Sequence, residues 1–167
     1  KDALYCDAPD SAKRRAYRSV LDILFHALTR YAAPVLVFTA EEVWTTRFPD
    51  RGSVHLGELR ELDASWTNDG LAEKWDRLRE TRRLVSERVE PLRREKIIGS
   101  SLEAEIWLPD AADDVDLAEI FISANVHAGD WRVERTSHHK CGRCWRHLAE
   151  VRADGDLCGR CADVVGG

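Results

Sequence analysis

The chain has 167 residues, of which 44% are hydrophobic and 33% charged, with a net charge of −5. That composition suits a globular protein of one ordinary domain or two small ones and excludes wholesale disorder. No apolar run approaches the ~20 residues of a membrane-spanning helix. No charged start leads into an apolar run as a secretory signal would. Met is absent, position 1 included, so the chain reads as an excised or processed fragment of a longer polypeptide.

Residues 11–31 place Tyr17, Val20, Leu21, Leu24, Phe25, Leu28 and Tyr31 at helical spacing, which predicts an amphipathic helix. Asp10 or Ser11 can cap it by accepting from a free backbone N–H of the first turn. Pro34 interrupts the pattern, because it donates no hydrogen bond and clashes with the preceding turn. Thr39-Ala40-Glu41-Glu42 has the capping-box spacing and predicts a short helix through Val43 and Trp44 that stops by Pro49. Two helices are too few to cover the face from Tyr17 to Tyr31, so that face is expected to remain exposed as an interface-sized apolar patch.

Residues 50–66, with two glycines, read as loop. From about Asp69 a long helix is expected, with Leu71, Trp75, Leu78, Val85, Val89 and Leu92 along one face. Pro91 should kink or divide it near Glu87 to Glu90, and Gly99 should end it. The period then switches to two: Leu102, Ala104, Ile106 and Leu108 alternate with Glu103, Glu105 and Trp107, a half-buried strand. A helical turn over 113–119 and short strands over 120–126 and 131–133 complete the reading.

Charge is segregated along the chain. Residues 74–96 carry nine Lys and Arg, residues 97–130 carry eight acids and no Lys or Arg, and residues 131–167 return to a basic excess. A locally positive face on an acidic protein is therefore possible, although a charge run also suits an ordinary solvated helix.

The strongest motif lies near the C-terminus. Cys141-x-x-Cys144 and Cys158-x-x-Cys161 are separated by thirteen residues. A two-residue gap turns both sulfurs of a pair toward one point, and two pairs complete a tetrahedron suited to one structural Zn²⁺. About thirty residues cannot bury enough apolar area to fold alone, so the metal would supply the stability. An odd cysteine total without a secretory signal fits a disulfide framework poorly and points to a reducing compartment. Cys6 reads as a small loop or core residue. His138, His139 and His147 are expected at the surface or on phosphate rather than on the metal. Trp145, flanked by Arg143 and Arg146, can cover the small apolar core of the module or stack on an unpaired base.

Glycine-rich nucleotide loops, a G-x-S-x-G elbow and H-E-x-x-H are all absent, and the segment carries no recognisable catalytic residues. In order, KDALYCD at 1–7, RRAYRSVL at 14–21, APVLVFTAEEVW at 33–44, EKIIGSSLEAEIWL at 95–108 and KCGRCW…LCGRC at 140–161 resemble the C-terminal part of bacterial isoleucyl-tRNA synthetases. The resemblance spans essentially the whole chain. The stretch 33–44 is shared with class I synthetases for valine and leucine, whereas the cysteine tail behind an IGSSLEA-like strand points to isoleucine. Ala3 departs from the family, which often has Arg there, and removes one charged contact.

The resemblance implies an α+β architecture: mainly helical over 1–97 as part of an anticodon-binding bundle, a small αβ junction over 98–136, and a zinc ribbon over 137–167. It implies tRNA as partner, with upstream domains of the same polypeptide, no membrane, a monomer and a cytoplasmic location. ATP and Mg²⁺ would belong only to a catalytic portion carrying HIGH-like and KMSKS-like motifs, which this sequence lacks. RNA contacts are expected from Lys13, Arg14, Arg15 and Arg18 on the first long helix and from Arg143, Trp145 and Arg146 beside the zinc. A similar four-cysteine finger occurs in formamidopyrimidine DNA glycosylases, but Lys1-Asp2 lacks their catalytic amino-terminal proline and glutamate. A free-standing zinc ribbon that binds a protein is the remaining alternative.

Overall fold

A five-residue helix, α1 (Asp2–Cys6), opens the computed structural model, which describes residues 2–58, 63–111 and 114–166. Spacing alone did not suggest this helix. It buries Ala3 and Cys6, so Cys6 is the core residue expected of it. Ser11 then caps α2 (Ala12–Ala32) by accepting from the Arg14 backbone N–H at 3.1 Å. Arg14 in turn donates from Nη1 to the Asp7 carbonyl at 2.8 Å, which ties the end of α1 to the first turn of α2.

Helix α3 (Val37–Arg47) follows directly and has no side-chain cap at Leu36. The capping box expected at Thr39 is therefore not formed. The tight turn behind Pro34, in which the Leu36 N–H bonds the Ala32 carbonyl at 2.7 Å, lets the helix start three residues earlier. Ala33, Ala40, Trp44 and Val54 form a small core, with Phe25 and Phe48 packed on it. Two hydrogen-bonded groups secure the chain after α3: Trp44 Nε1 donates to the Gly52 carbonyl at 3.0 Å, and Glu41 Oε2 accepts from Ser53 Oγ and the Val54 N–H. The expected loop over 50–66 contains 3₁₀ turns at Val54–Leu56 and Ala64–Trp66, while residues 59–62 lie outside the described residues. Leu21, Leu24, Leu28 and Tyr31 remain exposed, as the shortage of covering helices predicts.

The chain divides into two compact units, Lys1–Thr67 and Asn68–Gly167. In the second, Asn68 caps α4 (Asp69–Arg94) through the Leu71 N–H. Its buried stripe begins at Leu78 and continues through Val85 and Val89, whereas Leu71 and Trp75 are exposed. Pro91 lies within the final turn and the helix continues past it, so the expected division does not occur. Nor does Gly99 end it. Lys96 takes the left-handed conformation (φ 58°), its N–H bonds the Arg93 carbonyl and the Ile97 N–H bonds the Leu92 carbonyl. That pair of bonds is a Schellman stop, formed here by a non-glycine residue.

Strand β1 (Ala104–Leu108) is central in a three-stranded sheet of order β2-β1-β3. It pairs in parallel with β2 (Asn125–Ala128) and antiparallel with β3 (Arg132–Arg135). Ala104, Ile106 and Leu108 point into a core with Leu78, Val85 and Val89 of α4, Ile98, and Leu117 and Phe121 of α5 (Leu117–Phe121). The strand expected over 120–126 is corrected at its start. Asp116 caps α5 through the Glu119 N–H and carries the helix to Phe121, and Ile122 in the left-handed region reverses the chain. The expected turn over 113–119 begins at a position outside the described residues.

Beyond the sheet, β4 (His139–Lys140) and β5 (His147–Leu148) form a short antiparallel hairpin, and α6 (Gly159–Gly166) closes the fold. Mainly helical, with a small αβ sheet and a cysteine-clustered end, the architecture is the α+β class that the sequence predicts. Among the described residues, no helix is long and apolar enough to cross a membrane.

Candidate zinc centre and basic surfaces

The β4–β5 hairpin and the start of α6 bring the two cysteine pairs together. The Sγ atoms of Cys141, Cys144, Cys158 and Cys161 all lie within 4.8 Å of one another, and none is in a disulfide. A tetrahedron with metal–sulfur bonds of about 2.3 Å has sulfur–sulfur edges of about 3.8 Å. The Cys144–Cys158 separation is 3.8 Å. The residues therefore fit one Zn²⁺ with a closed four-sulfur shell.

Local backbone chemistry favours anionic sulfur at Cys141, whereas burial favours the neutral thiol at Cys144 and Cys158. Burial pushes the Cys141 thiol up, but the backbone N–H groups of Cys144, Cys158 and Arg143 outweigh it and bring the thiol down to about 6. At Cys158 burial prevails and pushes the thiol up to about 12. A cation placed among the four sulfurs offsets the cost of burying thiolates and draws all four into the charged form. Arg143 Nη1 lies 3.7 Å from Cys161 Sγ and adds a charge-assisted contact. Gly142 is required by close approach: a Cβ there would meet the Gly155 carbonyl oxygen at 2.4 Å.

Trp145 follows the first knuckle and is 61% exposed, so it does not cover the core of the module. It adopts the left-handed region (φ 67°), sparsely used by non-glycine residues. Lys140 Nζ sits 5.5 Å from the indole centroid. Arg146 pairs with Asp116 at 3.3 Å. His147 is half-buried, with Nδ1 3.0 Å from the Leu102 carbonyl, so it is an internal contact rather than the surface residue expected. Burial holds its imidazole below the ordinary histidine value. His138 and His139 lie beside Glu105 and Asp154 at 3.6 and 3.5 Å.

In the first unit, Lys13, Arg15 and Arg18 are exposed on α2, and Arg14 is partly buried by its bond to Asp7. A second basic group escaped the sequence reading because its members come from α2, α3 and the following loop. Arg30 lies over Trp44 at 5.4 Å, Arg47 over Phe25 at 4.3 Å, and Arg51 over Phe48 at 4.6 Å. His26 stacks on Phe48 among them at 5.3 Å. Burial pushes His26 down; Asp22 opposes that, and Arg30, Arg47 and Arg51 add to it.

Comparisons with known proteins agree with this geometry. Residues 1–108 match the model of the anticodon-binding domain of tRNA ligases, and residues 139–164 match the zinc finger found in FPG and IleRS. The chain belongs to the tRNA-ligase anticodon-binding domain family. Among its relatives, it is 58% identical to the isoleucine–tRNA ligase of Zymomonas mobilis, with 99% of this chain and 19% of the relative covered. Identity is 44% to that of Gluconobacter oxydans, over the same shares, and 41% to that of Mesorhizobium japonicum, over 92% and 18%. The chain thus spans about a fifth of the length of these relatives. The finger alone is shared with FPG proteins, but the match over 1–108 disfavours a glycosylase-like reading.

Proposed function

We propose that the chain is the C-terminal, tRNA-binding region of an isoleucine–tRNA ligase, an enzyme that joins isoleucine to its tRNA with ATP. The observation that carries the proposal is the four-sulfur cluster with an exposed Trp145 and Lys140 at its edge, in a chain matched over 1–108 to an anticodon-binding domain. Cys141, Cys144, Cys158 and Cys161 hold one structural Zn²⁺, which supplies folding energy and performs no step of the reaction. ATP and Mg²⁺ act in the catalytic portion of the enzyme, outside these residues.

Recognition here is positional. Lys13, Arg14, Arg15 and Arg18 face phosphates, which set register without reading sequence, while Arg143 and Trp145 form the part of the zinc module that meets unpaired bases, with Arg146 behind them. The division of labour follows 1–97 as helical RNA-binding region, 98–136 as αβ junction and 137–167 as zinc module. The partner is isoleucine tRNA, engaged by a monomer together with the rest of the polypeptide in the cytoplasm.

Titration with tRNA at several salt concentrations tests this reading. Each phosphate contact contributes about 0.7–0.9 to the slope of log affinity against log salt. Arg15→Ala with Arg18→Ala should lower the slope by about one to two. An unchanged slope returns both to an ordinary solvated helix face.

A further inference from the structure

The two residues after Trp145 both turn away from solvent and onto the αβ part of the same unit. The side chain of Arg146 is 23% exposed, against 61% for Trp145 as a whole. Its Nη1 reaches Asp116 Oδ2 at 3.3 Å. Asp116 uses its other oxygen, Oδ1, to accept the Glu119 N–H at 3.0 Å, so one carboxylate both caps α5 and receives the guanidinium. Helix α5 is itself fixed by Leu117 and Phe121 in the main core. His147 Nδ1 lies 3.0 Å from the Leu102 carbonyl, and a ring N–H is the only group of that pair that can donate. Leu102 belongs to the 3₁₀ turn immediately before β1.

On the knuckle side, the Trp145 N–H bonds the Cys141 carbonyl at 3.0 Å, and the Arg146 carbonyl accepts the Cys141 N–H at 2.9 Å. Trp145 is thus a left-handed residue clamped between the sulfur knuckle and two anchors on the sheet domain. We infer that Asp116 is a positioning residue that holds Trp145 in its exposed attitude by fixing Arg146, and that Arg146 acts through this pair rather than on phosphate. The inference deepens the tRNA-binding reading and rests on it for its functional consequence. Its structural content stands alone.

Asp116→Asn separates the two duties of the carboxylate, because an asparagine oxygen still caps α5 while the charge is lost. Arg146→Gln removes the same pair from the other side. Both variants, their double and the parent chain are titrated with isoleucine tRNA across salt concentrations. A second readout is the ¹⁹F NMR signal of Trp145 in chains carrying 5-fluorotryptophan, assigned by Trp145→Phe. For a partly exposed pair the expected weakening is about two- to fivefold in each single variant. The double should be no weaker than either single, the salt slope should not change, and the Trp145 signal should shift or sharpen in both.

If Arg146→Gln alone weakens binding and lowers the slope by about 0.7–0.9, Arg146 contacts a phosphate and the inference is overturned. An unchanged Trp145 signal in Asp116→Asn also overturns it. A parent chain that binds no tRNA defeats the functional reading instead, and the fluorine signal by itself then decides the positioning role.

Discussion

Cys158→Ser should remove the metal and unfold the cysteine module while sparing the rest of the chain. Beyond Thr136, the buried residues among those described are Cys141, Val151, Cys158 and Cys161, so three of four are candidate ligands. Burying a single valine stabilises by about 1.5–3 kcal/mol. Zinc in comparable peptides contributes about 10–16 kcal/mol. The metal therefore dominates, and the hairpin β4–β5 and α6 should not survive its loss. The main core of α4, β1 and α5 contains no residue of the module. Because α6 has 8 residues against 26 in α4 and 21 in α2, far-ultraviolet circular dichroism should lose only about a tenth of its helical signal. Trypsin should gain access at Arg135 and Lys140, and metal analysis should fall from about one zinc per chain to none. A variant that keeps its zinc, or one whose helical signal collapses entirely, would refute this reasoning.

Gly142→Ala should weaken zinc retention against a chelator, because its Cβ would meet the Gly155 carbonyl oxygen at 2.4 Å; a strain of about 1–3 kcal/mol is expected, and unchanged retention contradicts the close-approach argument. Ile106→Ala, at a fully buried position on the central strand, should lower stability by about 2–5 kcal/mol in urea titration; a loss below about 1 kcal/mol would mean that the sheet packing is wrongly assigned. His26 should make the first unit acid-sensitive. Its folded value is depressed, so its contribution is full above the ordinary histidine value and is lost as pH falls through the folded value. Thermal melts at pH 7.5 and 5.5 should show less acid destabilisation in His26→Gln than in the parent, and equal sensitivity would remove His26 as the cause.

Much of this fold was legible because it rests on local periodicity. The stripe from Tyr17 to Tyr31 specifies α2, the alternation from Ala104 to Leu108 specifies β1, and the doubled C-x-x-C specifies a sulfur cluster that the structure brings together. What escaped depends on backbone conformation or on distant pairing. Lys96 ends α4 because its own backbone enters the left-handed region, which glycine spacing cannot signal. Pro91 is accommodated in a last turn that runs only three residues further, so it interrupts little of the helix. The basic group of Arg30, Arg47 and Arg51 assembles from separate elements around aromatic rings. The pair of Arg146 with Asp116 escaped because its two members stand thirty residues apart.

The most direct test of the central claim is competition binding, in which zinc-loaded chain is titrated with isoleucine tRNA against a tRNA bearing a different anticodon at one fixed salt concentration. The account predicts preferential binding of isoleucine tRNA, with the preference reduced by Trp145→Ala. Equal affinity for both tRNAs, unaffected by Trp145→Ala, would contradict it.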